Sequence, residues 1–251
     1  MTRALGCDVS WWDMAVDFEK MRAAGASFCF IKASQRVQDG RFAENWKKAK
    51  GVVLRGAYHY LDFGLSELTQ ADIFIQALNG DWGELPPVCD FEQYPSEWGI
   101  TKAVASGKLW NFVTRVERTI GKKPMIYSGY YRWNETIPYS AGWAQFPYWL
   151  PWYANESIIR APKPWTTWNF WQFTDRGDPK KYGSSKAAID LNFFNGTEDE
   201  LKTWVNAPQY VICPICKTGN VQAYPCQYCN SVSPNDMRGN CLNCGAPRGG
   251  G

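Results

Sequence analysis

Short apolar runs that read as strands alternate with helix-like segments over residues 1–206. This rhythm confines the chain to an α/β fold with a largely parallel sheet. LGCDVS is followed by the amphipathic VDFEKMRAAG and then SFCFIKAS; FAENWKKAKGVV leads to RGAYHYL and a helical stretch over 67–78. PPVCDFE precedes a helix over 101–120 with Gly121 as its C-terminal cap. PMIYSG, FPYWLPWYA, NFWQFT and AAIDLNFF bring the strands to about eight. Eight strands in this length predict a TIM-like barrel that is irregular because its late strands are joined by loops rather than helices.

Composition breaks after residue 206. All 14 Trp precede the break, whereas residues 207–251 hold six of the nine Cys and little apolar sequence. The reading is a barrel over 1–206, a short linker at 206–209, and an appendage too small for a hydrophobic core of its own. No run of sequence reads as a secretory signal or as a membrane span. The expectation is therefore synthesis in the cytoplasm, with any action outside the cell depending on release by another agent. A formal net charge of +3 gives no electrostatic reason to expect nucleic acid as a partner.

The chain has one His, at position 59. That excludes HExxH metalloproteases and sites built on several His ligands, and leaves carboxylates as the expected agents of any chemistry. In PPVCDFE, strand alternation places Asp90 and Glu92 on one face, roughly 6–7 Å apart. Two acids at that range push their pKa values apart, so one can stay protonated while the other ionises. This is the division of labour that glycoside hydrolysis requires, although solvated acids at a strand end would look the same. Asp8 and Asp190 each lie directly after an apolar strand run, and both would meet the pair at the C-terminal ends of the barrel strands. The same parity points Lys32, Tyr58, Tyr60 and Tyr127 inward and turns His59 outward toward the helices.

LGCDVSWWD, FIKAS, GAYHYL, PPVCDFE, PMIYSGYY, WLPWYAN, NFWQFTDRG and AAIDLNFFNG follow the order and spacing of glycoside hydrolase family 25, the Chalaropsis-type lysozymes found among phage endolysins. The resemblance spans about residues 4–205. It implies a muramidase that cleaves the β-1,4 bond between N-acetylmuramic acid and N-acetylglucosamine in bacterial peptidoglycan and is released through a holin-type pore. By the same resemblance Glu92 is the general acid. Asp90 is the second carboxylate, acting as nucleophile or orienting the substrate's N-acetyl oxygen, and Asp8 and Asp190 complete the acidic network. Lys32, Tyr58, Tyr127 and Trp152 fall where such enzymes line the glycan groove. The family usually carries a Glu-Gly pair after FIKAS, where this chain has Gln35-Arg36. A glycan-binding protein without turnover and a chitinase-like hydrolase of another acetyl-sugar polymer are the competing readings.

In the tail, CPIC, CQYC and CLNC place three CxxC knuckles within residues 213–244. Cys226, Cys229, Cys241 and Cys244, with 11 residues between the two pairs, suit a closed tetrahedral zinc site of structural type. A disulfide framework is the alternative. Cys213 and Cys216 are a spare pair. The ending resembles small zinc ribbons, which implies a cell-wall or protein ligand for the tail. Cys7, Cys29 and Cys89 lie in strand runs and are expected to be buried, inert thiols.

Overall fold

A computed structural model describes residues 2–207, together with the backbone of a two-stranded antiparallel pairing between Tyr224–Pro225 and Val232–Ser233. The chain divides into two compact units, Met1–Val205 and Asn206–Gly251. The six tail cysteines, including Cys226, Cys229, Cys241 and Cys244, lie outside the described residues.

Eight strands close the first unit into a barrel in sequential order: β1 (Leu5–Val9), β2 (Ala26–Ser34), β3 (Leu54–Tyr60), β4 (Val88–Asp90), β5 (Met125–Tyr127), β6 (Tyr148–Pro151), β7 (Phe170–Gly177) and β8 (Ile189–Phe194). From β1 to β7 all neighbours are parallel, whereas β8 runs antiparallel to both β7 and β1. The connections explain this. A parallel return needs a crossover, usually a helix, and Phe18–Ala23 (α1), Phe42–Ala49 (α2), Glu67–Leu78 (α3) and Lys102–Ile120 (α4) supply four of them. The longer β6–β7 connection crosses over with only a short 3-10 turn at Glu156–Ile158, whereas the shorter stretch between Gly177 and Ile189 makes no crossover and turns straight back. The expectation of loops between the late strands needs one correction. Tyr130–Thr136 (α5) joins β5 to β6, a single short helix between strand segments rich in aromatic residues.

Strand parity sorts the side chains. Phe28 and Phe30 of β2 point into the barrel and pack with Val88, Met125, Trp149, Phe170 and Phe194. Phe30 stacks on Trp149 at 4.3 Å and meets Phe170 edge-on at 5.1 Å. These rings leave no room on the neighbouring strands. A Cβ on Gly6 would lie 2.4 Å from the Phe28 ring, and one on Gly56 would lie 2.3 Å from Phe30. Glycine at both inward positions is the steric complement of the two phenylalanines. The helix Glu198–Asn206 (α6) brings Leu201, Trp204 and Val205 to this same cluster, at the N-terminal end of the parallel strands.

The alternate residues face outward into a second core beneath the helices. Helix α4 carries both of its sequence-encoded caps: Thr101 Oγ1 accepts from Val104 N at 3.2 Å, and Gly121 closes the helix at φ 76°. His59, fully buried, stacks on Phe112 of α4. Its Nδ1 is 2.8 Å from Ser34 Oγ and its Nε2 is 3.0 Å from Gln70 Oε1. Because that carboxamide oxygen can only accept, Nε2 carries the hydrogen and Nδ1 accepts from Ser34. Burial pushes the imidazole pKa down to about 4, so this ring is neutral and structural. Cys7, Cys29 and Cys89 are likewise fully buried on β1, β2 and β4, and burial raises their thiols.

Candidate active site

At the C-terminal ends of the parallel strands the barrel lining changes character. Asp8, two residues beyond Gly6, is 7% exposed. Gln172 Nε2 donates to Asp8 Oδ2 at 2.9 Å, and Asn192 Nδ2 donates to the same oxygen at 2.8 Å. Both amides are themselves fixed. Tyr127 Oη donates to Gln172 Oε1 at 2.9 Å, the Tyr153 hydroxyl donates to the same oxygen, and Trp149 Nε1 donates to Asn192 Oδ1 at 2.8 Å. Two amides that would otherwise be free to flip thus have a single orientation, with their NH₂ groups on Asp8.

Asp90 closes β4 and is also 7% exposed. The ladder ends there rather than at Glu92, but the extended alternation continues: Phe91 N donates to Tyr127 O at 2.9 Å, and Phe91 is buried in the outer core. Glu92 therefore returns to the mouth side. Glu92 lies next to Asp90 there, close enough for the two carboxyls to act on one another. Burial and the adjacent Glu92 charge drive the Asp90 pKa well above the ordinary carboxylate range, with Lys32 opposing. Asp90 Oδ1 finds no hydrogen-bond partner among the described residues.

Asp190 reaches this mouth by a different route from the one its sequence context suggests. It sits near the N-terminal end of β8, not beyond the C-terminal end of a parallel strand, and its Cα pairs with that of Asp8. Strand reversal brings it to the same place. Burial lifts Asp190 to about 6 against the pull of Lys186, and burial followed by the Asp190 charge lifts Asp8 well above its usual value. Burial and the mutual repulsion of neighbouring carboxyls thus favour the protonated forms of Asp8, Asp90 and Asp190.

An open groove of about 490 Å³ runs beside this cluster. Of the residues singled out in the sequence, Glu92, Tyr127 and Trp152 line it. Tyr58 lies deeper, where burial and the charges of Asp8 and Asp90 raise its pKa. Lys32 Nζ lies 5.2 Å from the ring centre of Tyr60, whose phenol is pushed up to about 12 by burial and then by Asp90 and Glu92. Gln35 accepts from Lys32 Nζ at 3.2 Å, and Arg36 is tied to Asp62 at 2.8 Å. Those two residues therefore add no free cation to the mouth. Among the described residues no group of three or more His, Cys, Asp or Glu is placed to hold a metal ion. No helix among them is long and apolar enough to cross a membrane.

The model of "Glycosyl hydrolases family 25" matches residues 7–181. The chain belongs to glycosyl hydrolase family 25. It is 30% identical to "Lysozyme M1" of Streptomyces globisporus, covering 80% of this chain and 71% of that one. It is 33% identical to the E. coli O157:H7 protein YegX, covering 80% and 73%. The solved bacterial lysozyme of Streptomyces coelicolor superposes with a TM-score of 0.71 at 28% identity, covering 82% of this chain and 98% of that one.

Several groups in this family 25 barrel escaped the reading of its sequence. Gln172 and Asn192 lie inside the motifs NFWQFT and AAIDLNFF and are inward by parity from Phe170 and Phe194, but as neutral amides they carry no catalytic signal of their own. Tyr153, Tyr94 and Arg132 lie on connections after strand ends, where alternation gives no guidance. The uncharged signature NFWQFT contains Gln172, yet only closure of the barrel places it against Asp8, 164 residues away in sequence.

Proposed function

We propose that this glycoside hydrolase is a muramidase, cleaving the β-1,4 bond between N-acetylmuramic acid and N-acetylglucosamine in bacterial peptidoglycan. The observation that carries this reading is the carboxyl cluster at the mouth of a family 25 barrel, where Glu92 lines an aromatic groove next to the buried Asp90. Glu92, which lines the groove, serves as the general acid and delivers a proton to the leaving glycosidic oxygen. As the bond breaks, positive charge grows on the sugar ring, and the acidic mouth supplies the compensating field. Asp90 Oδ1, an acceptor without a partner among the described residues, is suited to take an N–H from the substrate's acetamido group and hold its carbonyl oxygen for attack on the anomeric carbon. Direct attack by Asp90 is the alternative chemistry for the same atom. Tyr127 and Trp152 provide flat faces for the sugar rings.

Mass spectrometry of soluble fragments from purified peptidoglycan, comparing wild type with Glu92→Gln, tests this. New reducing-end N-acetylmuramic acid that disappears in the variant is the expected result. Reducing-end N-acetylglucosamine would move the cut to the other bond, and the absence of fragments despite wall binding would make the protein a glycan-binding relative.

For the tail we propose one structural zinc held by Cys226, Cys229, Cys241 and Cys244. The knuckle spacing supports this reading, as does the location of CQYC in the sequence between the paired segments Tyr224–Pro225 and Val232–Ser233. Elemental analysis should find about one zinc per chain, lost when Cys226 and Cys241 become Ser. No bound metal would favour a disulfide framework. We also propose that the chain acts as an endolysin released from the host cytoplasm through a holin-type pore. Lysis on co-expression with a holin, and none on expression alone, is the expected outcome.

A further inference from the structure

The groove beside Glu92 has a second wall that the hydrolytic chemistry does not use. Arg132, in α5, lays its guanidinium flat on the Tyr94 ring, with Cζ 3.3 Å from the ring centre, and both residues line the groove with Glu92. Stacking covers one face of the guanidinium and leaves its in-plane N–H donors free, an arrangement that fixes the side chain without spending its hydrogen bonds. Among the described residues Arg132 has no ion-pair partner. This distinguishes it from Arg36, which is paired with Asp62, and from Arg55, which is paired with Asp81 and Glu84. A second guanidinium, Arg160, stands over Tyr130, itself a lining residue, with Cζ 4.6 Å from the ring centre.

The carboxyl cluster beside the groove is acidic, with Asp8, Asp90, Glu92 and Asp190 converging there. A substrate arm bearing a carboxylate is repelled by that cluster and needs a cation away from it to enter the groove. A planar carboxylate is the ligand that an edge-on guanidinium fork accepts best. If the substrate is peptidoglycan, the sugar that differs from N-acetylglucosamine does so by its 3-O-lactyl arm, which ends in a carboxyl group or in a peptide that itself carries carboxylates.

We propose that Arg132, stacked on Tyr94, binds a carboxylate on the lactyl arm of the muramyl residue and so determines which glycan the groove accepts. This rests on the muramidase reading above and assigns the chemical feature by which that substrate is told apart from an uncharged acetyl-sugar polymer. Arg132 is a specificity-determining residue here and takes no part in proton transfer.

The test is steady-state cleavage by the full chain of three soluble glycans: strands with stem peptides, strands freed of peptide so that the lactyl carboxylate is exposed, and the latter with their carboxylates converted to methylamides. Wild type should show a KM about tenfold higher on the methylamide than on the carboxylate form, a comparison that needs no variant. Arg132→Gln should raise KM about tenfold on carboxylate-bearing glycan, leave kcat within about twofold, and leave the methylamide unaffected. Arg132→Lys, which keeps the charge without the fork, should recover part of the loss. A KM effect confined to peptide-bearing strands assigns the stem carboxylates, and one present on peptide-free strands assigns the lactyl group itself. Equal KM on all three glycans in wild type, or an equal loss on all three in Arg132→Gln, overturns the proposal. If wild type cleaves none of the three, the muramidase reading fails instead.

Discussion

The lower half of the barrel and its mouth are built from the same strands, and two residues along each strand separate an apolar filling from a polar site. Phe30 gives way to Lys32, Gly6 to Asp8, Val88 to Asp90, Met125 to Tyr127 and Phe170 to Gln172. On the reversed strand β8, Phe194 gives way to Asn192 and then Asp190. Below, rings interlock and inward glycines are forced by the phenylalanines beside them. Above, Asp8 is held by two amide donors while buried carboxyls crowd one another, at a cost in stability that the layer below must offset. The contrast shows how one closed sheet separates the residues that keep it folded from those available for reaction.

Substitutions in the two layers should fail in opposite ways. Glu92→Gln should lower kcat by about a thousandfold while leaving the melting temperature close to wild type; a large drop in thermal stability would show that Glu92 also supports the fold. Phe30→Ala, in the filling, should cost about 3–5 kcal/mol in denaturant unfolding. Below the melting transition it should spare kcat more than Glu92→Gln does. Loss of activity without loss of stability would mean that the filling also positions the mouth.

The mouth also has a pH signature. Asp190 rises to about 6 in the folded chain from an ordinary carboxylate value near 3.8. The folded state therefore binds that proton more tightly than the unfolded state does. Its contribution to stability is fully present below the unfolded value and is lost as pH rises from about 4 to about 6. Asp190→Asn should remove that slope and leave the variant about 2 kcal/mol more stable than wild type near pH 7, measured by urea unfolding across the range. His59, in the outer core, works in the reverse sense. Held down to about 4, it destabilises the fold as pH falls from about 6.5 through that value. Because the chain has a single His, one imidazole resonance in an NMR titration reads this directly. At the surface, Arg22→Gln breaks the exposed pair with Glu198 and should change stability by less than about 1 kcal/mol. A larger change would mean that the α1–α6 contact is part of the core.

Much of this was legible in the chain itself, for a local reason. Strand alternation has a period of two residues, so the inward set Asp8, Lys32, Tyr58, Asp90 and Tyr127 follows from sequence once the strands are recognised. His59 falls outward by the same rule. The caps of α4 depend on Thr101 and Gly121 alone. The connection between β5 and β6 was harder to read, because YYRWNET is a single short helix whose aromatic residues resemble a strand run.

What the sequence by itself determined was the identity and facing of the strands, the acids at their ends, and the family those motifs mark, because all of these depend on near neighbours in the chain. What only the tertiary structure decided was the direction of β8, which brings Asp190 opposite Asp8 from the other end of its strand. It also decided the pairing of Asp8 with Gln172 and Asn192, and the stacking of Arg132 on Tyr94. Each of these joins groups from separate elements. Their proximity depends on how the sheet closes and on what the packed rings leave room for, and no local pattern encodes that.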